Sequence, residues 1–87
     1  QGSDSINLEE IFMEQLPSDI KTLQLGDIIE QNRVGVNVVG IKRSSGEYEI
    51  NPGPETEIDA SCKLFVLGTA EQIRVLNRMI KHAKPNS

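Results

Sequence analysis

The chain has 87 residues, of which 37% are hydrophobic and only three, Phe12, Tyr48 and Phe65, are aromatic; that length and composition set one domain with a thin, aliphatic core. Its formal net charge of −4 has the wrong sign for a chain whose main partner is nucleic acid, since phosphate binding needs a basic surface. No apolar run approaches the roughly 18–20 residues that span a bilayer, and no signal-like apolar stretch is present, so direct membrane insertion of this chain is excluded.

Gln1-Gly2-Ser3 reads as the remnant of a cleavable tag, and residues 1–7 as a polar, frayed terminus ahead of a domain over 8–84 and a tail over 85–87. The charge is uneven: residues 1–30 carry seven acids against Lys21, whereas residues 61–87 carry five bases against Glu71. Leu8, Ile11, Phe12 and Leu16 have helical spacing, and the stretch leaves helix and strand open. Pro17-Ser18-Asp19 ends it. The spacing of Leu25, Ile28 and Ile29 predicts a short helix over about Leu23 to Arg33, with Glu30 and Arg33 on its polar side and Gly35 as its stop.

Val36-Asn37-Val38-Val39-Gly40-Ile41-Lys42-Arg43 is the most strand-like stretch, because β-branched side chains lose little rotamer freedom on a pleated surface. Simple alternation sets Val36 and Val38 against Val39 and Ile41, so both faces ask for cover. Ser44-Ser45-Gly46 then forms a hairpin connection, with Gly46 able to take the positive φ it needs. Glu47 to Asn51 returns as a half-wet strand, and Pro52-Gly53-Pro54 ends the pairing. Glu55 to Asp59 follows as an acidic, extended connection. Lys63 to Leu67 is a further strand closed by Gly68. Thr69 and Gln72 have capping-box spacing, and the helix they open carries Ile73, Leu76, Ile80 and Ala83 on one stripe, with Arg78, Lys81 and Lys84 suiting its C-terminal end. Pro85 stops it.

Catalytic constellations are missing. His82, the single histidine, sits on a base-rich helix end with no partner for nucleophilic chemistry. Cys62 has no CxxC companion and fits a buried thiol in a reducing compartment. The glycines are isolated and form no phosphate loop. Glu55, Glu57 and Asp59 alternate, so a hard cation on three carboxylates or a solvated acidic edge both suit them. Lys42-Arg43 suits either an anionic ligand or cross-hairpin pairing with Glu47 or Glu49.

The order Gly35–Arg43, then Pro52-Gly53-Pro54-Glu55-Thr56-Glu57-Ile58, then Leu64-Phe65-Val66-Leu67-Gly68 resembles the TrkA C-terminal domain, the C-terminal lobe of regulators of potassium conductance. Gln24-Leu25-Gly26-Asp27-Ile28 resembles that family's Leu-Gly-Glu-Leu helix opening, and the likeness spans about residues 9–80. One departure is Ser61-Cys62, where the family has Gly-Asp before the last strand. The resemblance implies a strand over about 9–15 and hence an α+β fold of order β-α-β-β-β-α, with a mixed or antiparallel sheet of about four strands and two helices.

It further implies a non-enzymatic, dimerising sensory domain on the cytoplasmic face of a potassium channel or uptake system. Its partners would be its own twin, a nucleotide-binding lobe and a membrane pore. Small anionic ligands such as cyclic di-AMP bind some such lobes between protomers, with no cofactor resident in the lobe. By position, the resemblance puts Val38, Val39, Arg43 and Asn51 in that cleft, the arginine on a phosphate and the valines on a base. The same lobe also occurs in cation–proton antiporters and dicarboxylate-type permeases. A small enzyme or metal protein built on Glu55, Glu57, Asp59 and His82 is the remaining alternative.

Overall fold

The β-branched run does form a strand, β3 (Asn37–Lys42), and the rest of the chain is laid against it and its neighbour. The computed structural model describes residues 5–32 and 35–85, the side chains of 30–32 excepted; the tag remnant at residues 1–3, the polar face expected of Glu30 and Arg33, and the end of the tail lie outside them. In chain order come β1 (Asn7–Phe12), a 3-10 turn (Met13–Gln15), β2 (Leu23–Gln24), α1 (Leu25–Asn32), β3, β4 (Tyr48–Ile50), β5 (Glu57–Ile58), β6 (Lys63–Gly68) and α2 (Ala70–Lys81). This is an α+β fold.

One sheet runs in the order β1-β6-β3-β4, and every neighbouring pair in it is antiparallel. A two-residue ladder, β2 with β5, stands apart. The first strand begins at Asn7 and gives way at Met13 to the 3-10 turn, rather than running over 9–15. The reason lies in which residues are buried: Ile11, Met13, Leu16 and Ile20 point into the core, while Leu8 and Phe12 stay exposed. The helical spacing of positions 8, 11, 12 and 16 therefore does not describe the buried set.

The helix expected from Leu23 starts at Leu25 instead. Its first amide donors are taken by the facing loop, with Leu25 N–H donating to the Thr56 carbonyl at 2.9 Å and Gly26 N–H to the Pro54 carbonyl at 2.8 Å. Donors at a helix start have no partner within the helix, so this crossing connection satisfies them. It also draws Leu23-Gln24 into extended pairing with Ile58-Glu57.

The alternation expected for β3 is broken by a bulge. Val38 lies opposite Val66 and Gly40 opposite Phe65, two steps against one, so Val39 is the extra residue. The slip lets Val36, Val38 and Ile41 all turn to the helical side, where Val36 and Ile41 are buried and Val38 packs against the core. Asn37, Gly40 and Lys42 are left on the outer side. The two covered faces that simple alternation asked for are thus replaced by one.

α2 closes that inner face. Ile73, Leu76 and Ile80 bury against Leu64, Val66, Ile41 and Ile11, as the helical stripe in the sequence requires. Its start carries a complete capping box: Gln72 N–H donates to Thr69 Oγ1 at 3.1 Å, and Thr69 N–H to Gln72 Oε1 at 2.9 Å. Gly35, with φ of 84°, abuts the same glutamine, and a Cβ there would lie 2.7 Å from Gln72 Nε2.

Candidate functional site

Two features on the helical side of the sheet can engage a ligand. The first is a shallow groove of about 160 Å3 between Gly26 and Ile29 of α1, Asn37 and Val38 of β3, and Pro52 and Pro54 of the following loop. Its shape depends on Gly26: a Cβ there would lie 3.0 Å from the Pro54 Cβ and 3.1 Å from the Pro54 carbonyl oxygen. The missing side chain lets the helix start approach the proline loop closely enough for the Gly26–Pro54 hydrogen bond. The loop is turned by Asn51, which adopts a left-handed φ of 53° and donates its N–H to the Val39 carbonyl at 3.0 Å. Asparagine is among the few residues that take this conformation readily. The result is a shallow slot of mixed polar and apolar lining, with Asn37 among its walls.

The second feature is a network around Arg43. One end of its guanidinium donates to the Glu49 carboxylate at 3.0 Å, and the other to the Glu57 carbonyl at 3.0 Å. Thr56 Oγ1 donates to the second oxygen of Glu49 at 3.3 Å, and Cys62 Sγ lies 3.6 Å from the arginine. The Glu49 hydrogen bond is the main reason the arginine holds its proton more tightly than usual. Asp59 stands behind it, its carboxylate accepting from both the hydroxyl and the N–H of Ser61. Those two bonds, the hydroxyl's first, hold the Asp59 carboxyl below its usual range. The turn before β6, where Ser61-Cys62 stands in place of the expected Gly-Asp, is therefore held by Asp59 accepting from Ser61.

The residues singled out by resemblance separate in space. Val38 lines the shallow groove, and Asn51 shapes the loop beside it. Val39 occupies the bulge. Arg43 does not line the groove; it lines two open hollows with Lys42, Lys63, Glu47 and Tyr48. Of the two readings left open for Lys42-Arg43, Arg43 takes the cross-hairpin pairing with Glu49.

Glu55, Glu57 and Asp59 do not converge, and among the described residues no three histidine, cysteine or acidic side chains gather as a metal ion needs. The expected extended run is interrupted by a turn at Pro54-Glu55 and then pairs as β5, with Asp59 drawn to Ser61. His82 caps the end of α2 and lines a wider groove with Arg78 and Asp27. Cys62 is buried. Gly26, Pro54, Thr56 and Ser61 stand in the sequence only as motif positions; the part each plays here, a backbone contact or a close approach, is one that residue type alone does not advertise.

The family model of the TrkA-C domain matches residues 17–81. The chain belongs to this family. No curated protein sequence matches it. Among solved structures, the KtrA regulator-of-conductance-of-K+ (RCK) C domain in complex with cyclic diadenosine monophosphate superposes with a TM-score of 0.71 at 19% identity, covering 90% of this chain and 87% of that one. The RCK_C domain dimer of S. agalactiae BusR in complex with c-di-AMP gives 0.68 at 18% identity, with 91% and 94% covered; BusR is also solved on its busAB-promotor DNA. The GsuK channel bound to NAD gives 0.68 at 20% identity, and there 94% of this chain matches only 14% of that chain. These likenesses establish that this TrkA-C domain has the RCK C fold. Its first strand, β1, lies ahead of the family match. Among the described residues, no helix is long and apolar enough to cross a membrane.

Proposed function

We propose that this TrkA-C domain is a non-catalytic, ligand-sensing regulatory lobe that works as a homodimer on the cytosolic side of a potassium channel or potassium uptake system. The observation that carries the reading is the family match over residues 17–81, together with the RCK C domains of like fold that are solved with c-di-AMP. The groove lined by Val38 and the prolines takes the flat base, with Val39 and Asn51 beside it. Arg43 takes the phosphate once its guanidinium turns from Glu49. NAD stays with a separate nucleotide-binding lobe, because the chain has no glycine-rich phosphate loop.

The mechanism is linkage. A ligand that binds one arrangement of the two protomers better than another shifts their equilibrium by its differential affinity, and that shift moves whatever the lobe is joined to. The same physics serves the antiporter and permease settings. A second reading of the parent chain comes from BusR, the neighbour solved on promoter DNA. There a lobe of like fold would regulate DNA binding by another segment, since this one carries a net charge of −4.

The test is a thermal-shift panel of cyclic dinucleotides, adenine nucleotides, NAD and divalent cations against the isolated domain. A ligand selective for the folded state raises the melting point by mass action. A rise with a cyclic dinucleotide supports the reading, and no rise with any member of the panel overturns it.

A further inference from the structure

A larger cleft lies on the other flank of α1. Gly26 and Ile29 line the shallow groove beside the prolines, whereas Asp27 and Ile28 line this one. It has a volume of about 490 Å3 and opens between the segment entering β2, the start of α1 and the C-terminal end of α2. That volume falls in the range of small-molecule sites, roughly 300–1,000 Å3. Its floor continues the core: Ile20 and Ile28 are buried, and Leu23 and Met79 pack against the core while staying half-covered.

The rim of the cleft is cationic, although the chain carries −4 overall. Arg78, His82 and Lys84 line it against one acid, Asp27. The ion pairs among the described residues use Arg43, Lys63 and Arg74. Arg78, His82 and Lys84 have neither an ion pair nor a side-chain hydrogen bond there. Glu71, the acid of their own helix, is held by Arg74, and Arg78 adds only its charge. Asp27 turns to its own helix start, where its carboxylate accepts from the Gln24 N–H at 3.1 Å. The carbonyl end of a helix favours cations near it, and Lys81, which does not line the cleft, serves that end equally well. The dipole leaves unexplained why three unpaired donors gather over an open apolar floor.

We propose that this cleft is a second ligand site, which takes a small amphipathic anion. An apolar chain or ring lies on Leu23, Ile28 and Met79, and its carboxylate or phosphate head is held by Arg78 and Lys84. Covering the half-exposed floor removes apolar surface from water, and the guanidinium offers the paired donors that either head accepts. Neither half of the ligand suffices alone. A bare phosphate leaves the floor wet, and an uncharged chain gains nothing from the cations. The two grooves share no lining residue, so this site stands whether or not the nucleotide reading does.

The experiment is an amide NMR titration of the domain with octanoate, octyl phosphate, octan-1-ol and inorganic phosphate, on the wild type, Arg78→Glu, Lys84→Glu and the control Lys81→Glu. Melting curves check that each variant folds. Saturating shifts at Leu23, Ile28 and Met79 with octanoate or octyl phosphate are expected, and which of the two binds tighter identifies the head group. Octan-1-ol and inorganic phosphate should bind at least about tenfold more weakly, as should both amphiphiles to Arg78→Glu and Lys84→Glu, which is the loss expected for one charged contact. Lys81→Glu should bind as the wild type does. Three results overturn the proposal: no saturating shift with either amphiphile, shifts centred on Val38 instead, or octan-1-ol binding as tightly as octanoate. Undiminished binding to Lys84→Glu also overturns it, and that variant decides if Arg78→Glu fails to fold.

Discussion

Arg43 and Glu49 meet at 3.0 Å across the β3–β4 hairpin, and the same guanidinium reaches the Glu57 carbonyl on β5. One side chain thereby ties the main sheet to the separate two-stranded ladder. Arg43→Ala is expected to lower stability by about 1–2 kcal/mol, because it leaves a half-buried carboxylate and a carbonyl without their donor. Chemical denaturation checks this. A variant as stable as the wild type would show the network to be slack. Glu49→Gln frees the guanidinium from its carboxylate, and is expected to tighten an anionic ligand if Arg43 receives the phosphate.

The capping box at Thr69 sets the start of α2. Thr69→Ala is expected to remove about 1 kcal/mol, or roughly 4–8 °C of melting temperature in a domain of this size. Gln72 sits against Gly35, so Gly35→Ala strains the backbone and crowds the cap together. Calorimetric melting of both variants should rank Gly35→Ala as the worse.

Acid sensitivity centres on Asp59. Ser61 holds its carboxyl below the usual value, so the folded state binds that proton less readily than the unfolded chain. The stabilisation is then fully present above the unfolded-state pKa and is lost as pH falls through the lowered folded-state value. Asp59→Asn is expected to flatten the decline in stability at acid pH relative to the wild type. Denaturation midpoints from neutral down to about pH 3 give the comparison, and parallel curves would contradict the assignment.

In the core, Ile41 and Leu76 are fully enclosed. Truncating either to alanine is expected to cost about 2–5 kcal/mol, whereas Val39→Ala, in the bulge, should cost less than half as much. Equal losses at positions 39 and 41 would place the bulge wrongly.

That last contrast also shows what the sequence revealed. The start and buried stripe of helix α2 were legible, because cap and stripe are local signals, but the helix ends at Lys81 with His82 as its cap, short of the expected stop at Pro85. Strands β3, β4 and β6 were legible too, since apolar runs and turn residues bound them, whereas β1 came only from the family resemblance. What was not legible came from partners distant in the chain. The bulge at Val39 depends on the register with β6, and it replaces the two covered faces that simple alternation asked for with one. The late start of α1 depends on the Pro54–Thr56 loop taking its first donors. Arg43 ended the expected strand, but whether it met a ligand or Glu49 was a question of rotamer and distance that spacing alone left open. The resemblance gave Val38, Val39, Asn51 and Arg43 a common cleft between protomers; within one chain Val38 lines the groove beside the prolines and Arg43 is held by Glu49 and the Glu57 carbonyl.

The most direct measurement is a calorimetric titration of the isolated domain with c-di-AMP, repeated with Val38→Asp. Saturation at one ligand per two chains, with heat lost in a variant that still melts cooperatively, is the expected result. No heat from the wild type, or saturation at one ligand per chain that Val38→Asp leaves unchanged, would contradict a sensor that closes on its ligand between paired copies.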